Sequence, residues 1–139
     1  IVVAPNYLGY TGSSQTWHPY LNAEAQAVDM VDGLRAARRA LQVAGGPQPT
    51  GALFVTGYSQ GGHVAMATHR TLQRDHATEF PVTASGPMAG PYNLAEFGRL
   101  INEDQVINAG AVLFTPLLLT SYQRSYGDVY TSTAQAYNA

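Results

Sequence analysis

The five residues Gly57-Tyr58-Ser59-Gln60-Gly61 sit where a short apolar run gives way to a segment of helical period, and that junction restricts the fold more than any other feature of the chain. Residues 51–56 carry β-branched and aromatic side chains and no charge, the pattern of a strand buried on both faces. From Gly62 onward Val64, Ala65, Thr68 and Leu72 recur at steps of three and four, with His69, Arg70, Gln73 and Arg74 between them, so a helix follows at once. A backbone that passes from strand to helix in so few residues strains the residue at the apex and presents its side chain outward. Gly57 and Gly61 are expected to keep side chains out of the closest approaches, with Gly62 giving further clearance. Ser59 is then an exposed nucleophile behind Tyr58, and the Gln60 backbone N–H, at the start of the helix, can donate to an oxyanion as it forms. The pentapeptide by itself is weak evidence; its place between strand and helix gives it weight.

Strand and helix alternate through the first two thirds of the chain. Residues 1–4 read as a strand, and residues 5–20, rich in Gly, Ser, Thr and Pro, as a loop long enough to serve a site. Asn22 can cap a helix whose apolar face runs Ala27, Val31, Leu34, Ala37 and Leu41, with Asp29, Asp32, Arg35 and Arg39 largely on the other side. Gly45-Gly46-Pro47 stops it. Residues 80–85 read as another strand, ending at Gly86-Pro87. The order β-loop-α-β-α-β predicts an α/β fold with a parallel sheet, whose sites lie at the carboxyl ends of the strands, where Ser59 falls.

Beyond residue 93 no strand is evident. Asn93 with Glu96 resembles a capping box for a short helix through Leu100, and Asp104 and Asp128 read as solvated positions beside turns. Residues 109–122 are the most apolar segment, but about 14 residues, with Thr115, Pro116 and Thr120 among them, fall short of the ~20 that cross a bilayer. They read as a buried helix kinked at Pro116 and, compatibly with that, as a lid helix whose Leu113, Phe114, Leu117 and Leu118 line an apolar pocket.

Composition removes several classes of function. At 139 residues, 45% hydrophobic and 12% charged, the chain can bury the core of one globular domain. The net charge is −2 and all seven basic residues are Arg, with no run longer than Arg38-Arg39, so there is no electrostatic footprint for nucleic acid or an anionic membrane. The lack of Cys excludes disulfides, thiolate zinc sites and a cysteine nucleophile, and fits a reducing or an oxidising compartment. His63 and His69 have no Glu at helical spacing, and Gly45-Gly46-Pro47 has no following Lys, so neither a metal nor a cofactor is expected. The opening inside a strand, with no leader pattern, and the close on Tyr137-Asn138-Ala139 suggest an excerpt from a longer polypeptide.

With the elbow placed on strand, turn and helix, the chain resembles the α/β-hydrolase superfamily, and within it the secreted bacterial lipases and esterases that include cell-wall-degrading esterases of plant pathogens. Three stretches carry the likeness: Val2-Val3-Ala4-Pro5-Asn6-Tyr7-Leu8-Gly9-Tyr10; Val55-Thr56-Gly57-Tyr58-Ser59-Gln60-Gly61-Gly62; and Ser85-Gly86-Pro87 with Gly90-Pro91-Tyr92-Asn93. They fall within residues 1–94, and Asn6 stands where the family often has Asp. The resemblance implies that residues 1–93 are part of the hydrolase core and that residues 94–139 begin a helical cap. It also implies export to the periplasm or beyond, and a small-molecule ester substrate, either a lipid or a plant cell-wall ester.

Serine needs a hydrogen-bonded His, itself held by a carboxylate, to lose its proton during attack. In this superfamily the acid and then the His follow the nucleophile in the chain. Only His63, His69 and His76 follow Ser59, all on or just beyond the elbow helix, and none is placed to reach its hydroxyl. His18, in Trp17-His18-Pro19, reads as part of a loop wall. Asp29, Asp32, Asp75 and Glu79 read as helix-face or helix-end charges. The expectation is a serine carboxylic ester hydrolase whose acid, base and second oxyanion donor lie in the remainder of its own polypeptide. The same elbow serves peptidases, thioesterases and lactonases, and a non-catalytic binding module on this fold is a further alternative.

Overall fold

The computed structural model describes residues 1–103, 105 and 109–137; Asp104, and with it the reading of that residue as a solvated turn position, lies outside. The elements run α1 (Ala23–Val43), β1 (Phe54–Tyr58), α2 (Gln60–Asp75), β2 (Ala84–Met88), α3 (Leu94–Asn102), α4 (Ala111–Tyr126) and the single turn α5 (Thr133–Ala136). β1 and β2 pair in parallel, Phe54 opposite Ala84 and Tyr58 opposite Met88, joined through α2. This is the α/β arrangement that the alternation of periods predicts.

α2 is the centre of the packing. Its stripe of Val64, Ala65, Thr68 and Leu72 is buried, and α1 and both strands pack against the helix. Val31 of α1, Val55 of β1, Ala65 and Leu72 of α2, and Phe80 after α2 form the core. Arg38 of α1 sits 4.0 Å above the Phe80 ring, and Arg35 reaches Glu79 at 2.7 and 2.9 Å, so α1 is tied to the end of α2. α1 begins as its cap predicts, with Asn22 Oδ1 accepting from the Ala25 N–H at 3.1 Å. The helix ends at Ala44 and Gly45, whose φ of +64° suits glycine. Leu72 has no exposed surface. Leu72→Ala is therefore expected to cost about 2–5 kcal/mol, read as a lower urea midpoint at an unchanged slope.

Three sequence expectations are corrected. Residues 1–4 form no ladder; Ile1 and Val2 are exposed, and an apolar run without a neighbouring strand has nothing to hydrogen-bond to. The run leading to the elbow is not buried on both faces. Val55 points under α2, whereas Phe54 and Tyr58 are 68% and 72% exposed on the other face, where no described element covers them. The second strand starts four residues later than residue 80. Phe80 is spent as a core side chain, its N–H bonded to the His76 carbonyl, and pairing begins only once Thr83 N–H meets the Leu53 carbonyl at 2.8 Å.

Candidate active site

Ser59 follows β1 and is the N-cap of α2, with φ +57° and ψ −121°. A non-glycine residue held there stores about 1–3 kcal/mol of strain. Its own N–H donates to the Met88 carbonyl at 3.0 Å, and its carbonyl accepts from Gly62 and His63 at 2.9 and 3.2 Å. These bonds fix the turn from both sides. The hydroxyl is exposed and has no hydrogen-bond partner among the described residues. The Gln60 and Gly61 backbone N–H groups, the first two of α2, likewise find no acceptor among the described residues, so the helix presents free donors beside the hydroxyl.

The glycines divide the work differently from the sequence expectation. A Cβ on Gly57 would strike the Gly61 carbonyl, and one on Gly62 would strike the Met88 carbonyl and lie 3.0 Å from the Gly90 nitrogen. A Cβ on Gly90 would lie 2.6 Å from the His63 nitrogen. A Cβ on Gly61 meets nothing within 4 Å. The side-chain clearance expected of Gly61 therefore belongs to Gly62; Gly61 contributes the backbone that crowds Gly57.

The hydroxyl opens into an apolar cleft of about 200 Å³. Its walls are Tyr20 and Leu21 before α1, Ala89, Gly90 and Pro91 after β2, Leu94, Phe97 and Ile101 of α3, and Ala111, Phe114, Thr115 and Leu118 of α4. Among the described residues the non-glycine residues with positive φ are Leu21, Ser59 and Ala89, and all three line this cleft. Strain of that kind persists only where surrounding contacts enforce it, and it gathers at functional sites.

α4 is the wall helix rather than the buried one. Ser121 alone of its residues is buried, Phe114 and Leu118 face the cleft, and Leu113 and Leu117, expected to line it, point outward at 71% and 52% exposure. Phe114 and Leu118 are four apart and share a face; Leu113 and Leu117 are the next stripe round. Tyr122 donates to the Leu21 carbonyl at 3.3 Å, Asn22 to Ser125 Oγ at 2.9 Å, and the Tyr20 and Phe114 rings stack 6.2 Å apart, so the wall is fastened to the start of α1.

None of the downstream histidines reaches Ser59. His63 is buried with Nδ1 on the Pro91 carbonyl at 3.1 Å, His69 pairs Nδ1 with Ser85 Oγ at 2.8 Å, and His76 lies 3.8 Å from Glu79. Burial pulls the His63 pKa below its ordinary 6.5, against the pull of the Pro91 and Leu21 backbone. The unfolded state takes up a proton first, so His63's contribution to stability is complete above pH 6.5 and declines as pH falls below it toward the lower folded value. His63→Gln is expected to flatten the fall in urea midpoint just below that pH.

Two site-side residues escaped the sequence reading. His18 lies with Nε2 2.6 Å from Gln60 Nε2 and Nδ1 2.8 Å from the Leu8 carbonyl. Asp29, read as an exposed helical charge, accepts from the Leu8 N–H at 3.1 Å. Both partners lie too far away in sequence for a local pattern to reveal them. Asn6 meets only the Thr11 carbonyl, at 3.3 Å. No group of three or more metal-ligating side chains occurs among the described residues, and no helix of theirs is long and apolar enough to cross a membrane.

A parallel pair crossed through a helix, with a strained serine at the strand's carboxyl end and glycines where backbones touch, defines part of an α/β-hydrolase fold. The resemblance read from the sequence holds over almost the whole chain. The rice cell wall degrading esterase LipA from Xanthomonas oryzae matches 93% of it at 35% identity and a TM-score of 0.85, and the ligand-bound form of LipA matches 93% at 34% and 0.83. A candidate hydrolase from Legionella pneumophila matches 91% at 27% identity and a TM-score of 0.81. The chain spans about a third of the length of these structures, 34% of LipA and 33% of the Legionella protein. No family model and no curated protein matches it.

Proposed function

We propose that the chain carries the nucleophile and one oxyanion donor of a serine carboxylic ester hydrolase. The observation that carries this is Ser59, strained, exposed and lining an apolar cleft, its hydroxyl and the neighbouring Gln60 N–H both without a hydrogen-bond partner among the described residues. Ser59 Oγ attacks the ester carbonyl as its proton passes to a His supplied by the rest of the polypeptide. The carbonyl oxygen becomes an oxyanion that accepts from the Gln60 N–H; the alcohol leaves with the proton, and water releases the acyl group from Ser59. The remainder of the polypeptide also supplies the carboxylate that orients the His and the second oxyanion donor.

In this reading residues 1–93 belong to the hydrolase core, and residues 94–139, with α3 and α4 forming the far wall, begin its cap. Lipid and plant cell-wall esters are the substrate classes, since the cleft takes an apolar acyl group and LipA is a rice cell wall degrading esterase. Action on such a wall requires export.

A fluorophosphonate probe tests the reading on the complete polypeptide. Stoichiometric labelling mapped to Ser59 is the expected result. An inert Ser59 would reject it in favour of a binding module that uses the cleft alone. A labelled serine with turnover of thioesters or peptides but not esters would move the chemistry to a sister activity on the same elbow.

A further inference from the structure

We infer that His18 is a positioning residue for the oxyanion donor, acting through the Gln60 side chain. The inference rests on the ester-hydrolase reading of Ser59. The Leu8 carbonyl can only accept, so His18 Nδ1, 2.8 Å away, must carry the proton. In the neutral ring Nε2 is then a bare lone pair, and the Gln60 amide 2.6 Å away must turn its N–H₂ toward it. One carbonyl thus fixes the tautomer of the ring and the orientation of the amide.

The ring has little freedom to do otherwise. Tyr7 stacks on it at 5.5 Å, Tyr10 lies 4.8 Å away and Tyr20 6.1 Å, and the loop folds back so closely that a Cβ on Gly9 would lie 2.5 Å from the His18 backbone nitrogen. The Leu8 peptide is itself anchored, its N–H donating to Asp29 of α1. A continuous line of bonds therefore runs from α1 through Leu8 and His18 to the first residue of α2. That residue's backbone N–H, beside Ser59, has no acceptor among the described residues, and the turn that carries it is strained. A strained turn relaxes unless it is held, and a donor that drifts loses its advantage in the transition state.

The test uses His18→Phe, which keeps an aromatic ring among the tyrosines but removes both nitrogens, and Gln60→Met, which keeps side-chain length but removes the amide. In the complete polypeptide each is expected to lower kcat for a p-nitrophenyl ester and the fluorophosphonate labelling rate about tenfold, with KM within about twofold, because one donor is misplaced rather than removed. The double variant is expected to be no slower than either single one, since both cut the same bond. Wild-type labelling with an undiminished rate in His18→Phe, or fully additive losses, would overturn this inference and leave the esterase reading standing. An unlabelled wild-type Ser59 would overturn both. A second measurement needs no variant: ¹⁵N spectra of imidazole-labelled protein at mildly alkaline pH are expected to show His18 protonated at Nδ1 and bare at Nε2, and the opposite tautomer would also refute the inference.

Discussion

Ser59→Ala in the complete polypeptide is expected to lower ester turnover by about 10³- to 10⁶-fold while leaving the protein folded. Both halves follow from one environment. The hydroxyl makes no hydrogen bond among the described residues, so its loss strands no buried partner and costs the fold little, whereas the proposed reaction has no other attacking atom. Ser59→Gly carries the argument further. At φ +57° glycine pays no Cβ penalty, so this variant is expected to be as inactive as the alanine and more stable than the parent by about 1 kcal/mol. A raised urea midpoint together with lost p-nitrophenyl ester hydrolysis is the expected pair of measurements. A glycine variant no more stable than the parent would show that the elbow holds no strain to release.

Gly62→Val is expected to destabilise the protein by about 3 kcal/mol and to abolish labelling of Ser59. The added carbons enter the contact between the first turn of α2 and the end of β2, where the neighbours are the Met88 carbonyl and the Gly90 nitrogen. These are backbone atoms and cannot swing aside as a side chain would. The same Met88 carbonyl accepts from the Ser59 N–H, so pushing β2 away also releases the turn that holds Ser59. Gly61→Ala is the control. Its Cβ has open space, and alanine in a helix is favoured over glycine by up to about 1 kcal/mol, so this variant is expected to keep both its fold and its labelling. Calorimetry or urea titration of the two variants, read beside probe labelling, separates backbone clearance from a general intolerance of substitution at the elbow.

How much of this was legible in the sequence depended on the distance over which each feature is encoded. The elbow, the Asn22 and Asn93 caps, the apolar stripe of α2 and the glycine stop after α1 are each written in residue types a few positions apart, and the structure realises each. The reciprocal half of the capping box does not form, because Arg99 takes the Glu96 carboxylate. The start of β2 was misplaced because an apolar run does not say whether Phe80 is a strand residue or a core plug; that depended on where Thr83 met Leu53, thirty positions earlier. The outward turn of Leu113 and Leu117 was likewise unreadable, since the first half of the helix is apolar on most sides and only its docking on Leu21 and Asn22 chose a face.

The sequence by itself determined a strand, a sharp turn bearing serine, and a helix whose first N–H groups have no intrahelical acceptor, because backbone sterics and helical period act over a few neighbouring residues. Tertiary structure alone decided that Gly62 rather than Gly61 must lack a side chain. It also decided that the strained residues Leu21, Ser59 and Ala89 share one cleft, and that His18 grips Gln60 across 42 positions. Those outcomes depend on which distant backbones come to lie against each other, and no local pattern carries that information.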